Sequence, residues 1–126
     1  MSSEPRITHW DSTEPADKPR FVDPKESFDA VHQVLGRKWH LRIIYQLLEN
    51  GEMGFSGLKN GVDGVSSKML SESLSALEDR GLIVREIVND QPVRVEYSLT
   101  ESGQALEPTV TALLQWETSH DLTTEA

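Results

Sequence analysis

The segment spanning residues 64–81 constrains the fold most, because it predicts a single amphipathic helix with clear ends. Its apolar residues recur at helical spacing and form one stripe of Leu70, Leu74 and Leu77. Ser66 is a favourable N-cap, and Gly81 suits the left-handed position after a helix end. The opposite face is rich in serine, although serine is a mediocre helix former. Such short polar side chains let a helix approach the DNA major groove closely. A solvated face with a chance run of serines is the alternative interpretation.

Three shorter helices are predicted before this segment. A start signal at residues 23–26 and a stop at Gly36 delimit the first. The stripe of this helix, which we expect to be buried, consists of Phe28, Val31 and Leu35. The second helix is predicted over residues 38–48, and the third is short, over residues 57–60, with Ser56 as its cap.

A β-hairpin and a last helix are predicted after the long helix. Residues 82–88 are β-branched, residues 93–99 alternate between apolar and polar, and a polar loop over residues 89–92 joins them. Thr100 is a favourable cap for the last helix. Pro108 inside that helix predicts either a kink or a later true start.

This order of elements predicts a fold. A short helix, a tight glycine turn and a longer helix form a helix-turn-helix, and a hairpin directly after it is a wing. The predicted class is mainly α with a small β hairpin (α+β), a winged helix-turn-helix. We expect a flexible arm over residues 1–22, this domain over residues 23–118 and a disordered tail over residues 119–126.

Several functional classes are disfavoured by the composition. The absence of cysteine excludes disulfides, thiolate metal sites and thiol-based redox sensing. No transmembrane or signal-peptide pattern is present, so the expected location is the cytoplasm, with no membrane partner. The histidines lack ligand spacing, and no phosphate loop or nucleophile elbow occurs. We therefore predict no enzyme, no catalytic residue, no metal and no cofactor.

The charge of the chain leaves two functions open. The net charge is −9, and the residues from 101 to 126 hold five acids and no base. The most basic stretch, residues 31–50, holds three bases against one acid. A protein that binds duplex DNA is expected to be basic on at least one face. The segregated charge permits DNA binding. A salt-rich cytoplasm, where surplus acid keeps a protein hydrated and soluble, is one explanation of the acidic net charge. The net charge favours the alternative, a winged-helix protein–protein interaction module without DNA binding.

The sequence resembles the HxlR-type winged-helix transcription regulators, which are relatives of the MarR group. The matching segments, in family order, are residues 35–39, 55–58, 64–70, 80–85 and 95–103, followed by Leu113 and Trp116. The resemblance implies a homodimer on a palindromic operator of double-stranded DNA, with the long helix reading the major groove. Gly54 stands where the family usually has arginine, so one expected phosphate contact is missing. The redox-sensing cysteine that several members carry near Glu26 is also absent.

Given this fold, the primary candidate DNA contacts fall in three separate segments. The primary candidates are Lys38, Ser66, Ser67, Lys68, Ser71, Glu72, Ser75 and Arg94. The secondary candidates are Arg37, Lys59, Arg85, Asn89 and Gln91. Two of the primary residues have alternative roles: Ser66 is equally suited to be only a cap, and Glu72 either accepts from a cytosine amino group or repels phosphate.

The resemblance implies that the first and last helices form the dimer interface. Their candidate interface residues are Phe28, Val31, Leu106, Val110, Leu113, Leu114 and Trp116. The last helix carries more large apolar side chains than one small domain can bury around it, and an intramolecular cover is the alternative. The sequence identifies no effector ligand.

Overall fold

The computed structural model describes residues 24–120, which form six helices and three strands. The elements are α1 (Pro24–Leu35), α2 (His40–Asn50), β1 (Met53–Gly54), α3 (Phe55–Gly61), α4 (Ser67–Asp79), β2 (Ile83–Asp90), β3 (Val93–Leu99), α5 (Glu101–Gln104) and α6 (Glu107–His120). The predicted arm lies outside the described residues. Ser119 and His120 belong to α6, whereas the sequence placed them in a disordered tail. The chain divides into two compact units, with the boundary between Gln33 and Val34 inside α1.

The core of the second unit is built from the apolar faces that the sequence predicts. Ile43, Ile44 and Leu47 of α2 are buried with the α4 stripe, which confirms both amphipathic helices. The other buried apolar side chains are Leu58, Val62, Val65, Leu82, Ile83 and Val110. This core fixes how α3 and α4 are held against α2.

The wing is part of an antiparallel sheet in the order β1-β3-β2. β1 pairs Met53 with Tyr97, and β2 and β3 form the hairpin. The hairpin is longer than predicted, because Asn89 and Asp90 belong to β2 and only residues 91–92 form the turn. The α+β winged helix-turn-helix predicted from the sequence is thus confirmed.

Three helix starts differ from the sequence prediction or decide between its alternatives. α2 begins at His40 rather than near Lys38. α3 has Gly54 as its N-cap rather than Ser56, because Gly54 is extended where it pairs with β3. The last helical segment breaks after α5 and restarts at Glu107, so Pro108 lies in the first turn of α6 and delays its start.

The first unit contributes residues 24–33 of α1 to the described structure. No residue of α1 is buried, and Phe28 and Val31 are 72% and 51% exposed. The prediction that this stripe is buried is therefore wrong for Phe28 and Val31 in the described structure, whereas Leu35 is half-buried. Val34, in the second unit, packs against the core.

Thr100 joins the residues that follow α4 to the last two helices. Its Oγ1 donates to the Gly81 carbonyl oxygen (2.6 Å) and accepts from the Gly103 amide (3.1 Å). Its amide donates to the Leu82 carbonyl oxygen (3.0 Å). The predicted cap is thus confirmed, and it also fixes the residues that follow α4.

A buried histidine at the start of α2 is expected to make stability depend on pH. His40 is 4% exposed, and its Nδ1 donates to the Val34 carbonyl oxygen (3.1 Å). Burial lowers its pKa below 6.5, outweighing the raising effect of that hydrogen bond, and the positive charge of Arg37 lowers it further. The unfolded chain therefore binds the proton more readily, so stability falls as the pH drops below 6.5.

We expect the melting temperature of the wild type to fall more between neutral and mildly acidic pH than that of His40→Asn. Asparagine keeps a side-chain donor for Val34 but has no titrating group. Differential scanning calorimetry of both proteins across this range checks the difference. Parallel pH dependences would show that His40 does not set it.

Candidate nucleic-acid interface

The helix-turn-helix consists of α3, a short turn and α4. Val62 and Val65 anchor the turn in the core, and the Val65 amide donates to the Val62 carbonyl oxygen (3.3 Å). Gly64 between them has φ +86°, a conformation that side chains rarely adopt. Ser66 then caps α4 by accepting from the Met69 amide (3.0 Å), as predicted. The turn therefore fixes where α4 begins.

α4 presents a continuous polar face to solvent. Its core face is Leu70, Ser73, Leu74 and Leu77, all buried. Its predicted contact residues are all exposed: Ser67, Lys68, Ser71, Glu72 and Ser75. Met69, which the sequence placed beside the apolar stripe, is 38% exposed and borders this face. An exposed thioether adds apolar contact surface, of the kind that meets a thymine methyl group.

The charge along α4 is uneven. Lys68 in the first turn is the single base of Ser67–Asp79, and Glu78 and Asp79 lie at the far end with Glu72 between. Lys68 Nζ lies 4.0 Å from Glu72 Oε2, and both side chains are mostly exposed. Only the N-terminal part of the helix is therefore suited to approach a polyanion.

A bulge in β2 arranges the predicted wing contacts. The register shifts between Ile87 and Asn89, so Asn89, rather than Val88, lies opposite Arg94. The structure thus brings two predicted contacts together. Asn89 Oδ1 accepts from the Gln91 amide (3.2 Å), which places Gln91 in the same tip.

Arg94 of the wing forms an ion pair within its own strand. Its Nη2 lies 3.5 Å from Glu96 Oε2. Arg85 pairs with Tyr97, which is three positions from Arg94 on β3. Since side chains alternate along a strand, Arg85 lies on the opposite face of the hairpin. The structure therefore does not bring the two arginines to one surface.

Lys38 and Arg42 form a basic cluster around Trp39, beside the turn that precedes α4. Lys38 Nζ is 4.8 Å from the Trp39 ring centroid, and Arg42 Cζ is 5.7 Å from it. A Cβ built on Gly64 would lie 3.8 Å from Trp39 Cη2, so the ring reaches the turn. Arg42 was missed by the sequence analysis, although its spacing of three residues from Trp39 on a helix would have indicated it. Arg37 and Lys59 are also exposed.

The predicted dimer residues separate into two groups. Leu113, Leu114 and Trp116 of α6 are 41%, 49% and 52% exposed, as Phe28 and Val31 of α1 also are. Leu113 and Leu114 border a largely apolar cavity of about 400 Å³ beside α2. Val110 and Leu106 instead pack in or against the core of their own domain, since they lie on the inner face of the helical segment. Their assignment to an interface is therefore corrected.

Within residues 24–120, no cluster of three or more metal-ligating side chains occurs. No helix in the same range is long and apolar enough to cross a membrane.

Comparison with known proteins identifies the family. The protein is 37% identical over 91 residues to YvaP of Bacillus subtilis, an uncharacterised HTH-type transcriptional regulator, across 72% of this chain and 83% of that one. It is similar to the reduced form of the redox regulator HypR (TM-score 0.70, 31% identity, 77% and 95% covered). It is also similar to a putative MarR-family regulator from Enterococcus faecalis (TM-score 0.71, 28% identity, 84% and 96% covered). A family model described as HxlR-like helix-turn-helix matches residues 34–124, and the chain belongs to this family.

Proposed function

We propose that the protein is a transcriptional regulator that binds specific sequences in duplex DNA, as a homodimer on a palindromic operator. The observation that carries this proposal is the exposed serine- and lysine-bearing face of α4, which begins directly after a rigid helix-turn-helix turn. Helices in this position read base edges with their N-terminal residues. The relatives are named transcriptional regulators, which supports the same function.

In this proposal α4, the wing and the basic cluster around Trp39 have different roles. Ser67, Ser71 and Ser75 hydrogen-bond to base edges or phosphates, and Lys68 binds guanine or phosphate. Arg94 and Asn89 contact the backbone beside the site through the wing. The cluster around Trp39 lies next to the turn, where its cations suit a phosphate. Thiol oxidation within this chain cannot regulate it, because the chain has no cysteine, and the effector is unknown.

The proposed dimer uses the exposed apolar residues of α1 and α6. Residues 101–126 contain five acids and no base, so α6 would face a large electrostatic cost on phosphate. An interface on α6 therefore points away from DNA. A two-fold dimer would place its two reader helices roughly 34 Å apart, one turn of duplex.

Lys68→Ala tests the reading helix. If Lys68 makes a charged groove or phosphate contact, its loss is expected to weaken operator binding about 5- to 150-fold. Lys25→Ala is a matched control, because Lys25 forms an equivalent exposed i,i+4 pair with Asp29 (4.0 Å) on α1. An operator is first selected from a random duplex pool, and fluorescence anisotropy then measures both variants on it. Equal affinities of the two variants and the wild type would remove Lys68 from the site.

A second candidate function is a protein-interaction module that keeps the fold without binding DNA. The observation that favours it is the charge of α4, with one base against three acids, in a chain of net charge −9. The same selection distinguishes the two functions. A wild-type protein that enriches no duplex sequence at low salt supports the interaction module, whereas a palindromic consensus supports the regulator.

A further inference from the structure

We propose that Glu72 and Glu96 compete with DNA phosphate for the cations that bind DNA. Each carboxylate forms an ion pair with one of these cations in the free protein. This inference rests on the proposed function and concerns the same surface. Its starting point is that both leading cations have a carboxylate of their own chain beside them. Lys68 has Glu72 at 4.0 Å, and Arg94 has Glu96 at 3.5 Å.

Both ion pairs are exposed enough for a phosphate to replace the carboxylate, and they add little to the stability of the fold. The side chains of Lys68 and Arg94 are 80% and 61% exposed, so phosphate can reach both. Exposed ion pairs contribute little to folding, because water screens them and two long side chains must be ordered. A phosphate that binds either cation must weaken or displace the carboxylate already there.

The wing pair is the stronger competitor. Glu96 is only 26% exposed in its side chain, against 59% for Glu72, so it is less hydrated and less screened. It also lies directly opposite Glu86 in the β2–β3 ladder. Like charges in that position repel, and Arg94 relieves the repulsion. Moving Arg94 to phosphate therefore leaves two carboxylates facing each other.

The exchange also changes how salt affects binding. Each phosphate neutralised by a free cation contributes about −0.9 to the slope of log affinity against log salt on B-form DNA. When Arg94 leaves Glu96, a carboxylate without its partner remains beside the bound phosphate. Its repulsion of the DNA offsets part of the effect of the released counterion, so this contact contributes less than about 0.9 to the slope. An acidic regulator built in this way keeps its affinity as salt rises better than its number of cations suggests.

Glu96→Gln tests the competition at the wing. Because the glutamine is neutral, we expect operator affinity to rise about two- to fivefold, the range for an exposed ion pair. The salt slope is expected to steepen by up to about 0.9. Glu72→Gln should act in the same direction but less. Anisotropy titrations over a series of salt concentrations measure both quantities, and thermal melts verify that each variant is folded.

The double variant Arg94→Ala/Glu96→Gln separates competition from general charge repulsion. If Glu96 acts by holding Arg94, the gain from Glu96→Gln disappears when Arg94 is absent. Glu49→Gln, an exposed acid on α2, controls for the change in net charge. A gain that persists without Arg94, or an unchanged salt slope, overturns this proposal. Failure of the wild type to bind any duplex would instead overturn the proposed function.

Discussion

Gly103→Ala is expected to destabilise the domain severely. A Cβ at this position would collide with the carbonyl oxygen of Leu82 and would lie 2.9 Å from Leu99 Cδ2. The carbonyl is held in place by the amide of Thr100, so the backbone cannot simply move aside. Overpacking of this kind costs about 1–3 kcal/mol, and the fixed backbone neighbour favours the upper end. For a domain of this size that lowers the melting temperature by roughly 4–8 °C per kcal/mol.

Gly57→Ala is the matched control for this substitution. Gly57 is exposed on α3, and a Cβ there meets only Met53 Cε at an ordinary 3.5 Å. Alanine favours the helix over glycine by about 1 kcal/mol, so this variant should be neutral or more stable. Thermal unfolding by circular dichroism compares the two. Similar melting temperatures for both variants would contradict the close contact at Gly103.

Replacing Leu114 and Trp116 together with alanine is expected to convert the proposed homodimer to monomer. Both side chains are about half exposed on α6, so the folded domain should survive their loss. The proposed interface would lose roughly several hundred Å² of apolar contact, a large part of what a stable dimer buries on each side. Operator affinity should then fall about 100-fold or more, because two linked half-sites bind far more tightly than one.

Sedimentation velocity and operator titration measure these two effects together. Gln115→Ala is the matched control. Gln115 lies between the two positions on the same helix, and the substitution removes a polar side chain, so this variant should remain dimeric. If the double variant sediments as a dimer with normal affinity, the interface lies elsewhere, and the exposed residues of α1 become the next candidates. A monomeric wild type would remove the homodimer from the proposed function.

Local sequence signals predicted the elements whose ends are set by neighbouring residues. The Ser66 and Thr100 caps, the left-handed Gly81 and the α4 stripe are all as expected. Each depends on residues within one or two turns, so a single sequence contains the necessary information.

The structure differs from the sequence prediction where contacts between residues distant in the chain determine the conformation. Gly54 caps α3 because it pairs with Glu96, more than 40 residues away. Val110 packs into the core while the stripe on α1 remains exposed, and composition alone does not distinguish these apolar residues. In the candidate interface, the sequence proposed Lys68 and Arg94 as contacts, and both are exposed. It did not reveal Glu96 beside Arg94, because that contact depends on the register of the hairpin.

The bulge in β2 also affects how the wing can evolve. Val88 is the one extra residue, and the pairs on either side, Ile87 with Val95 and Asn89 with Arg94, would both remain if it were deleted. A bulge bends its strand and increases its twist. Loss of this single residue would therefore change the direction of the wing tip without disturbing the core or α4. Under the proposed function, a change of one residue in length would therefore alter where the wing meets the DNA while the core stays the same.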